Sequence, residues 1–452
     1  MVSRATIPAT LPVHFGECMI QACGEFDYYR TQLGAVVIVD GRLDEQRLRH
    51  ALRLLLDAEP GLGCRFALDA KPPVWRWLDD LDARDLLLVR TSDDLAGEAS
   101  AFVADPLDQQ TDPQVLAALV RGPSSDALGV KVSHVAMDGG ALKEMLYLIA
   151  SIYRRLAKQP DWTPVPNVDG VRGAFARAGL LERIRAIPEA SSATSPPKSD
   201  WAVPVLGDRG PATYAWATVE PDVFRQAVAL AKPSGVTVND FVLTAYYRTC
   251  YRLLGAAPGS HTPISIPCEL RKHLPEGTKT ALSNIATAWW ASVSPAEGEG
   301  FDDTLSRVAK VTQDWKQSGA GKPAAIWMPT GNRLFGKHAL RFFRKMLAKG
   351  AEVTAGKGGP PTLTNIGIID DARLDFGTEV RVADAWLLGP ISVMTLILTA
   401  TTCRDRLHLA IGTEFAAVSE GLVHAVLEGV VEEIHSWVAG RVTASRPTPA
   451  ST

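Results

Sequence analysis

The sequence has 452 residues, about three times the roughly 150 residues of a typical domain, so we predict more than one domain. Hydrophobic residues make up 46% and charged residues 21%, which is a globular composition and excludes a disordered or fibrous chain. With 47 Lys and Arg against 50 Asp and Glu, the formal net charge is −3, and no overall field would attract nucleic acid or an anionic membrane.

The six cysteines are few and scattered, and none forms a CxxC pair, so we expect reduced thiols rather than a disulfide framework. The N-terminus lacks the apolar core of a secretory signal. No stretch approaches the ~20 apolar residues of a transmembrane helix. These patterns predict a cytoplasmic protein.

In the first half of the chain, residues 35–40 (AVVIVD) predict a buried strand, followed by a helix from Leu43. Residues 128–134 predict another strand, which ends in the loop VAMDGG. The helix after that loop carries one apolar face. That face consists of Leu142, Met145, Ile149, Ile152 and Leu156.

A stretch rich in Ser, Ala, Thr and Pro interrupts this periodic pattern near the middle of the chain, which indicates an interdomain linker. We therefore predict an N-terminal lobe at 1–187, a linker at 188–204, a C-terminal lobe at 205–440 and a flexible tail at 441–452.

In the second half, Thr237 is predicted to cap a helix over 238–254, with Asp240 completing a capping box. Later strands are predicted at ISIPC, NIATAWWASV, TLTNIG, VMTLILTATT and RLHLAIGTEF. Both halves mix strands with long helices. The fold class is therefore α/β or α+β, in two lobes of similar size.

The most informative motif is the HxxxDG string from His134 to Gly139. Strand alternation puts His134 at the strand end among apolar neighbours, where a neutral imidazole is suited to general-base chemistry. The alternative is a structural histidine with satisfied hydrogen bonds. Gly139 lets the chain reverse into the helix.

Together with this motif, the order of strands, helices, linker and second mixed lobe resembles the chloramphenicol-acetyltransferase-like superfamily of acyltransferases. The superfamily includes condensation domains, wax ester synthases and polyketide-associated acyltransferases. Further similarity lies in GRLDEQRLRHALRLLLDAEPGLGCRF, TVNDFVLTAYYRTCYRLLG, ISIPCELRKHLP, SNIATA and LTNIG. The resemblance covers roughly residues 14–434.

The resemblance implies two similar lobes, mixed sheets flanked by helices, and an active-site tunnel between the lobes. It makes His134 the catalytic base, Asp138 a structural aspartate and Gly139 the turn glycine. Ser133 stands where many condensation domains have a first histidine. The resemblance also suggests Arg271 as the partner of Asp138, although an exposed Arg271 is an equal alternative.

Three residues are candidate oxyanion donors or tunnel residues, and each is alternatively a strand-end residue that satisfies backbone groups: Asn284, Thr364 and Asn365. No Cys/His cluster or HExxH motif supports a metal site. The string GxxxxGK at 331–337 lacks the following Ser or Thr of a phosphate-binding loop.

A run of cations without acids from Arg333 to Lys349 predicts a basic amphipathic helix. We consider Arg341, Arg344 and Lys345 as candidates for docking the acyl donor, through coenzyme A phosphates or an acidic carrier protein. The alternatives are a solvated helix face and a peripheral contact with lipid.

The predicted function is transfer of an acyl group from a coenzyme A or carrier-protein thioester to a small-molecule alcohol or amine, without an acyl-enzyme and without a bound cofactor. The alternatives are a freestanding amide-forming condensation enzyme and a catalytically silent carrier-binding homologue. The sequence does not choose the acyl chain, the acceptor, the ester or amide product, or the oligomeric state.

Overall fold

The computed structural model describes most of the chain, namely residues 7–26, 29–172, 197–319, 321–323, 325–326, 336–354 and 357–444. Most of the predicted linker and of the predicted tail lies outside these residues. The division into 1–187 and 205–440 stays a prediction.

The first half forms strands β1 to β8 and helices α1 to α4. The strands are Thr10–Pro12, Tyr29–Arg30, Gln32–Asp40, Cys64–Ala67, Val74–Trp77, Leu87–Thr91, Val115–Arg121 and Ser125–Ser133. The helices are Phe15–Glu25, Glu45–Ala58, Leu95–Ala104 and Gly139–Lys158. Helix α2 begins two residues later than predicted because the Asp44 side chain caps it, accepting from the Arg47 N–H.

The second half forms strands β9 to β16 and helices α5 to α9. The strands are Ala212–Val219, Pro263–Glu269, Ala286–Ser292, Thr362–Ile368, Arg381–Leu388, Ile391–Ser392, Ile397–Cys403 and Arg406–Glu414. The helices are Pro221–Ala231, Val238–Leu253, Phe301–Gln317, Ala339–Thr354 and Glu420–Ala444. As predicted, Thr237 and Asp240 form the capping box of α6.

The first large sheet has the order β13-β3-β8-β7-β6. Side chains of β3 alternate between its two faces, because successive residues of a strand point in opposite directions. Ala35, Val37 and Val39 join the core under α2 and α4. Val36 joins a separate core with α3. Both faces are buried, which accounts for the continuous apolar run of this strand.

The second large sheet has the order β11-β10-β12-β15-β16-β9 and packs against α5, α6 and α9. Its strand β12 is parallel to β10 and β15, whereas the remaining pairs are antiparallel. The α/β architecture with mixed sheets flanked by helices is confirmed.

Strand β13 comes from the second half of the chain yet pairs with β3 of the first sheet, from Arg381 opposite Asp40 to Leu388 opposite Gly34. The sequence analysis did not predict this strand. The chain therefore crosses back to the first sheet after β12, and the two halves are joined at a sheet edge as well as at the cleft between the sheets.

A second connection between the halves centres on the fully buried carboxylate of Glu414. Arg209 and Arg30 both donate to it, and so does the Gly210 N–H. The pKa of Glu414 is lowered to about 2, chiefly by the hydrogen bonds from Arg209.

In the described part of the chain, no helix combines the length and apolar character needed to cross a membrane.

Glu414→Gln should lower the free energy of unfolding by about 1–3 kcal/mol at neutral pH, because charge-assisted hydrogen bonds are lost. Since the folded pKa lies below the ordinary 4.5, this contribution is complete above pH 4.5 and is lost as the pH falls towards 2. Denaturant unfolding across this range measures both effects. Asp69→Asn, which breaks an exposed ion pair to Arg76, is the control and should have a smaller effect. Equal losses in the two variants would contradict the prediction.

Candidate active site

His134 follows β8 directly, and its main chain is held by both halves of the protein. Its N–H donates to the carbonyl of Thr31 at 2.8 Å. Its carbonyl accepts from the Asn284 side-chain amide at 3.0 Å. The backbone N–H groups of Ala136 and Met137 both bond the Ser133 carbonyl, which closes the tight turn of the loop. The histidine backbone is thus fixed before any substrate is present.

The His134 imidazole is arranged as a neutral base. Its Nδ1 lies 2.9 Å from the carbonyl oxygen of Met137. A carbonyl only accepts hydrogen bonds, so we assign the proton to Nδ1, which leaves a lone pair on Nε2. Burial lowers the pKa of His134 from its ordinary 6.5, so the ring is neutral at pH 7. Both features are those required of a general base.

Asp138 caps helix α4 and connects it to the second half of the chain. Its Oδ1 accepts from the Ala141 N–H at 2.8 Å, which satisfies one free donor of the first helical turn. Its Oδ2 accepts from the Ile285 N–H at 2.6 Å. Arg271 Nη1 lies 3.0 and 3.1 Å from the two oxygens. This geometry excludes the alternative that Arg271 is exposed to solvent.

Arg271 is held as firmly as the carboxylate that it contacts. Nη1 also donates to Glu269 at 2.7 Å, and Nη2 donates to the Ser283 carbonyl at 2.8 Å. The group packs against Gly140, where an added Cβ would lie 3.1 Å from the Glu269 carboxylate and 3.2 Å from Arg271 Nη1. A side chain at this position would require these charged groups to shift by a few tenths of an ångström.

Gly139 contacts a different neighbour. An added Cβ would lie 2.9 Å from Cδ1 of Ile366, so a larger residue here would require the end of that side chain to shift. Ile366 occupies an irregularity in β12, where the register with β15 shifts between Asn365 and Gly367. This bulge brings β12 against the start of α4.

Residues 279–285 form a strap that crosses the cleft and bonds the first half repeatedly. The Thr280 carbonyl accepts from Asn167, and the Leu282 N–H donates to Glu59. The strap ends on the loop that carries His134, with Asn284 bonded to the His134 carbonyl and Ile285 bonded to Asp138. The strap, which belongs to the second half of the chain, thus helps to hold the His134 loop of the first half in place.

A cavity of about 780 Å³ lies beside this loop, between α4, β10, β12 and the strap. Asp138 and Gly139 form part of its wall, whereas His134 is not among the described lining residues. Other lining residues include Glu59, Lys143, Cys268, Arg271, Thr364, Asn365 and Arg373. The volume is that of a small-molecule site.

The three candidate oxyanion donors occupy different places. Thr364 and Asn365 line the cavity, and the Asn365 side-chain oxygen accepts from the Gly367 N–H at 2.9 Å. The Asn284 amide instead bonds the backbone of His134. Asn284 therefore positions the His134 backbone, in line with the alternative that it satisfies backbone groups.

The sequence analysis missed Glu59, Asn167 and Lys143. Lys143 donates to the carbonyls of Ile366 and Ile368 at 2.9 and 3.2 Å, which fixes the bulge of β12. Its position one turn after Gly139 was the only local signal. No local pattern marks Glu59 or Asn167, because their partners lie far away in sequence.

The basic helix α8 packs its apolar side on α1, where Phe343 meets Phe15 with ring centroids 4.6 Å apart. Arg344 is engaged by Glu25 through two hydrogen bonds of 2.5 and 2.7 Å. Arg341 and Lys345 are exposed. Of the three predicted docking cations, Arg344 therefore holds α8 to α1. Arg333 lies outside the described residues.

No group of three or more His, Cys, Asp or Glu side chains that could hold a metal occurs among the described residues. No family model matches the sequence, and no curated protein matches it significantly.

Solved structures share the fold over nearly the whole chain. Polyketide synthase associated protein 5 from Mycobacterium tuberculosis matches with a TM-score of 0.64 and 14% identity, over 96% of this chain and 100% of that chain. The first condensation domain of the calcium-dependent antibiotic synthetase matches with a TM-score of 0.67 and 16% identity, over 96% and 97%. The TRI3 trichothecene 15-O-acetyltransferase from Fusarium sporotrichioides matches with a TM-score of 0.70 and 12% identity, over 94% of each chain.

The chain has the chloramphenicol-acetyltransferase-like fold. The resemblance stated from the sequence is confirmed at the level of the fold. The same fold occurs in the epimerization domain from the third module of tyrocidine synthetase B, at a TM-score of 0.64 and 12% identity, over 97% of this chain and 98% of that chain. Because the fold occurs in domains of different activity, the fold alone does not determine the reaction of this chain.

Asp138→Ala should lower the free energy of unfolding by about 3–5 kcal/mol, because it removes the buried one of the two carboxylates that pair with the largely buried Arg271. Thermal and denaturant unfolding measure the loss. Glu269→Gln is the matched control, since this second carboxylate on Arg271 is 51% exposed and should contribute less than ~1 kcal/mol. Equal effects of the two variants would show that the buried pair is not the stabilising contact.

Proposed function

We propose that the protein transfers an acyl group from a thioester of coenzyme A or of a phosphopantetheinyl carrier protein to an alcohol or amine. The observation that carries this proposal is the His134 ring, whose Nδ1 donates to Met137 while burial keeps Nε2 unprotonated. Nε2 is the general base. The presence of this fold in an acetyltransferase and in condensation domains supports the choice of acyl transfer.

In the proposed reaction, Nε2 removes the proton from the acceptor hydroxyl or amine as that group attacks the thioester carbonyl. The tetrahedral intermediate then breaks its C–S bond, and the imidazolium returns the proton to the departing thiolate. The products are an ester or amide and a free thiol. No bond between acyl group and enzyme forms at any point.

The imidazolium that exists during the reaction keeps its Nδ1–H on the Met137 carbonyl, so the ring does not need to turn between the two proton transfers. Thr364 and Asn365 are the proposed sources of hydrogen bonds to the oxyanion, because both line the cavity beside the loop. Asn284 contributes by positioning the backbone of His134.

Amide formation in a nonribosomal peptide pathway is a narrower form of the same reaction and uses the same base. At the position of the first histidine of many condensation domains, Ser133 is buried and its hydroxyl contacts the Gln109 side chain at 3.3 Å. Ser133 thus has a structural contact here. Testing alcohols beside amines distinguishes the two products.

His134→Ala should reduce acyl transfer by at least ~10²-fold while the protein remains folded, because the lost function is proton transfer. The assay follows free thiol released from a panel of acyl-CoA thioesters in the presence of alcohols and amines. His435→Ala, which removes an exposed histidine of α9, is the control and should retain full activity.

More than about a tenth of the parental rate in His134→Ala would contradict the assignment of the base. If the parental protein releases no thiol from any acyl-CoA or acyl-carrier protein tested, the proposed acyl transfer is contradicted and the alternative of a catalytically silent carrier-binding homologue is favoured.

We further propose that the outward face of α8 contributes to docking of the donor. Arg341 and Lys345 lie one turn apart on this exposed face, and no acid occurs between residues 336 and 351. This arrangement suits the phosphates of coenzyme A or an acidic carrier protein. Arg344 supports the face indirectly by fastening α8 to Glu25.

Replacing Arg341 and Lys345 together by Gln should raise the donor KM about 2- to 5-fold, which corresponds to weak, exposed ion pairs. The turnover number should not change. The parental KM should also rise with salt, since such contacts are screened over ~8 Å at physiological ionic strength. A Lys158→Gln, Lys232→Gln variant is the control for removal of two exposed charges elsewhere. An identical KM in both variants would remove α8 from donor docking.

A further inference from the structure

Glu59 is a nearly buried carboxylate in the wall of the cavity beside the catalytic loop. It is 9% exposed and lies between the end of α2 and the strap. Its Oε1 accepts from the Asn167 side-chain amide at 2.7 Å, and its Oε2 accepts from the Leu282 N–H at 3.1 Å. Both oxygens accept hydrogen bonds, which is the pattern of an ionised carboxylate.

The other charged groups in the cavity wall have partners within the protein. Asp138 and Glu269 share Arg271. Glu144 pairs with Arg373, and Arg154 pairs with Asp375. The Lys143 ammonium is occupied by the two carbonyls of the β12 bulge. These interactions leave no cation of the wall available to Glu59.

Among the described residues, Glu59 makes no ion pair. Arg172 and Lys279 act on it electrostatically from a greater distance. Arg172 is bound to Glu17 at 3.1 Å, and Lys279 is exposed. Burial raises the pKa of Glu59 above its ordinary 4.5 in spite of these two cations. A carboxylate in this environment is stabilised by any cation that enters the cavity.

We propose that Glu59 binds a cationic amine group of the acceptor substrate, as an anchor distinct from the group that attacks the thioester. An ammonium cannot itself be the nucleophile, because it has no lone pair. The strap contacts both residues, since the Leu282 N–H bonds Glu59 whereas the Asn284 amide, two residues later, bonds the His134 carbonyl. On the proposed function, the acceptor carries a cation for Glu59 and a separate hydroxyl or second amine for His134.

The remaining cavity wall fits the body of such a molecule. Pro267, Leu148, Leu282 and Ala286 supply apolar surface between Glu59 and the bulge of β12. A volume of about 780 Å³ accommodates a compact small molecule. Only the identification of this ligand as the acceptor rests on the proposed function; the cation site rests on Glu59 and the cavity.

The test compares three phenylalkyl ammonium compounds, with two, three and four methylenes, against the alcohols of the same lengths. Isothermal titration calorimetry at pH 7.5 measures their dissociation constants. The parental protein should bind at least one amine about tenfold more tightly than its matching alcohol. In Glu59→Gln this preference should fall below about threefold, because the carboxylate charge is gone.

Glu144→Gln is the matched control, because it removes a carboxylate from the same wall that already has an arginine partner. It should keep the tenfold preference. A second measurement needs no variant: amine affinity of the parental protein should weaken as the pH falls and Glu59 is protonated, whereas alcohol affinity should not. Equal affinity for amines and alcohols, no binding of either, or a preference that persists in Glu59→Gln would overturn the proposal.

Measuring acyl transfer by the parental protein beside these titrations separates this proposal from the proposed function. A tenfold amine preference together with an absence of acyl transfer in the parental protein would retain the cation site and reject the acyltransferase. Acyl transfer by the parental protein without an amine preference would retain the acyltransferase and reject the cation site.

Discussion

The arrangement of the candidate active site depends on the ion pair between Asp138 and Arg271. The Asp138 carboxylate faces an arginine and two backbone N–H groups, and one of those N–H groups belongs to the other half of the chain. Removing charges from water is costly, and this set of donors offsets the cost at a position where α4 begins. The start of α4, the strap and the loop that carries His134 are consequently held as one unit.

This unit sets the chemistry of the histidine. The loop places the Met137 carbonyl against Nδ1, which fixes the tautomer, and burial lowers the pKa of the ring. The two effects act together, because a neutral imidazole with its proton on Nδ1 has a single free lone pair on Nε2. Glu59 accepts from the Leu282 N–H in the middle of the same strap, two residues before the Asn284 amide that bonds the His134 carbonyl.

The local features of this protein could be predicted from its sequence, and several of its long-range features could not. The strand, loop and helix around His134 follow from a buried strand, two glycines and an apolar helical face. The capping box of α6 follows from Thr237 and Asp240 three residues apart. The pairing of Asp138 with Arg271 was reached only through resemblance, because 133 residues separate the two.

The pairing of β13 with the first sheet could not be predicted, because the residues of a short strand do not indicate which strand will lie beside it. Arg344 was predicted as a docking residue because the sequence did not reveal its partner Glu25, which lies 319 positions away. The same holds for Glu59, whose importance comes from the cavity that it lines and from the absence of an ion pair among the described residues. Such properties depend on the assembled fold.

The central claim is that His134 is a neutral base with its proton on Nδ1, and nitrogen NMR of the protein with labelled histidine tests it without knowledge of the substrate. The signals of His134 are assigned by their loss in His134→Ala. At pH 7 we predict a protonated Nδ1 and an unprotonated Nε2, and a titration midpoint below 6.5. A doubly protonated ring at pH 7, or a proton on Nε2 with a bare Nδ1, would contradict the account.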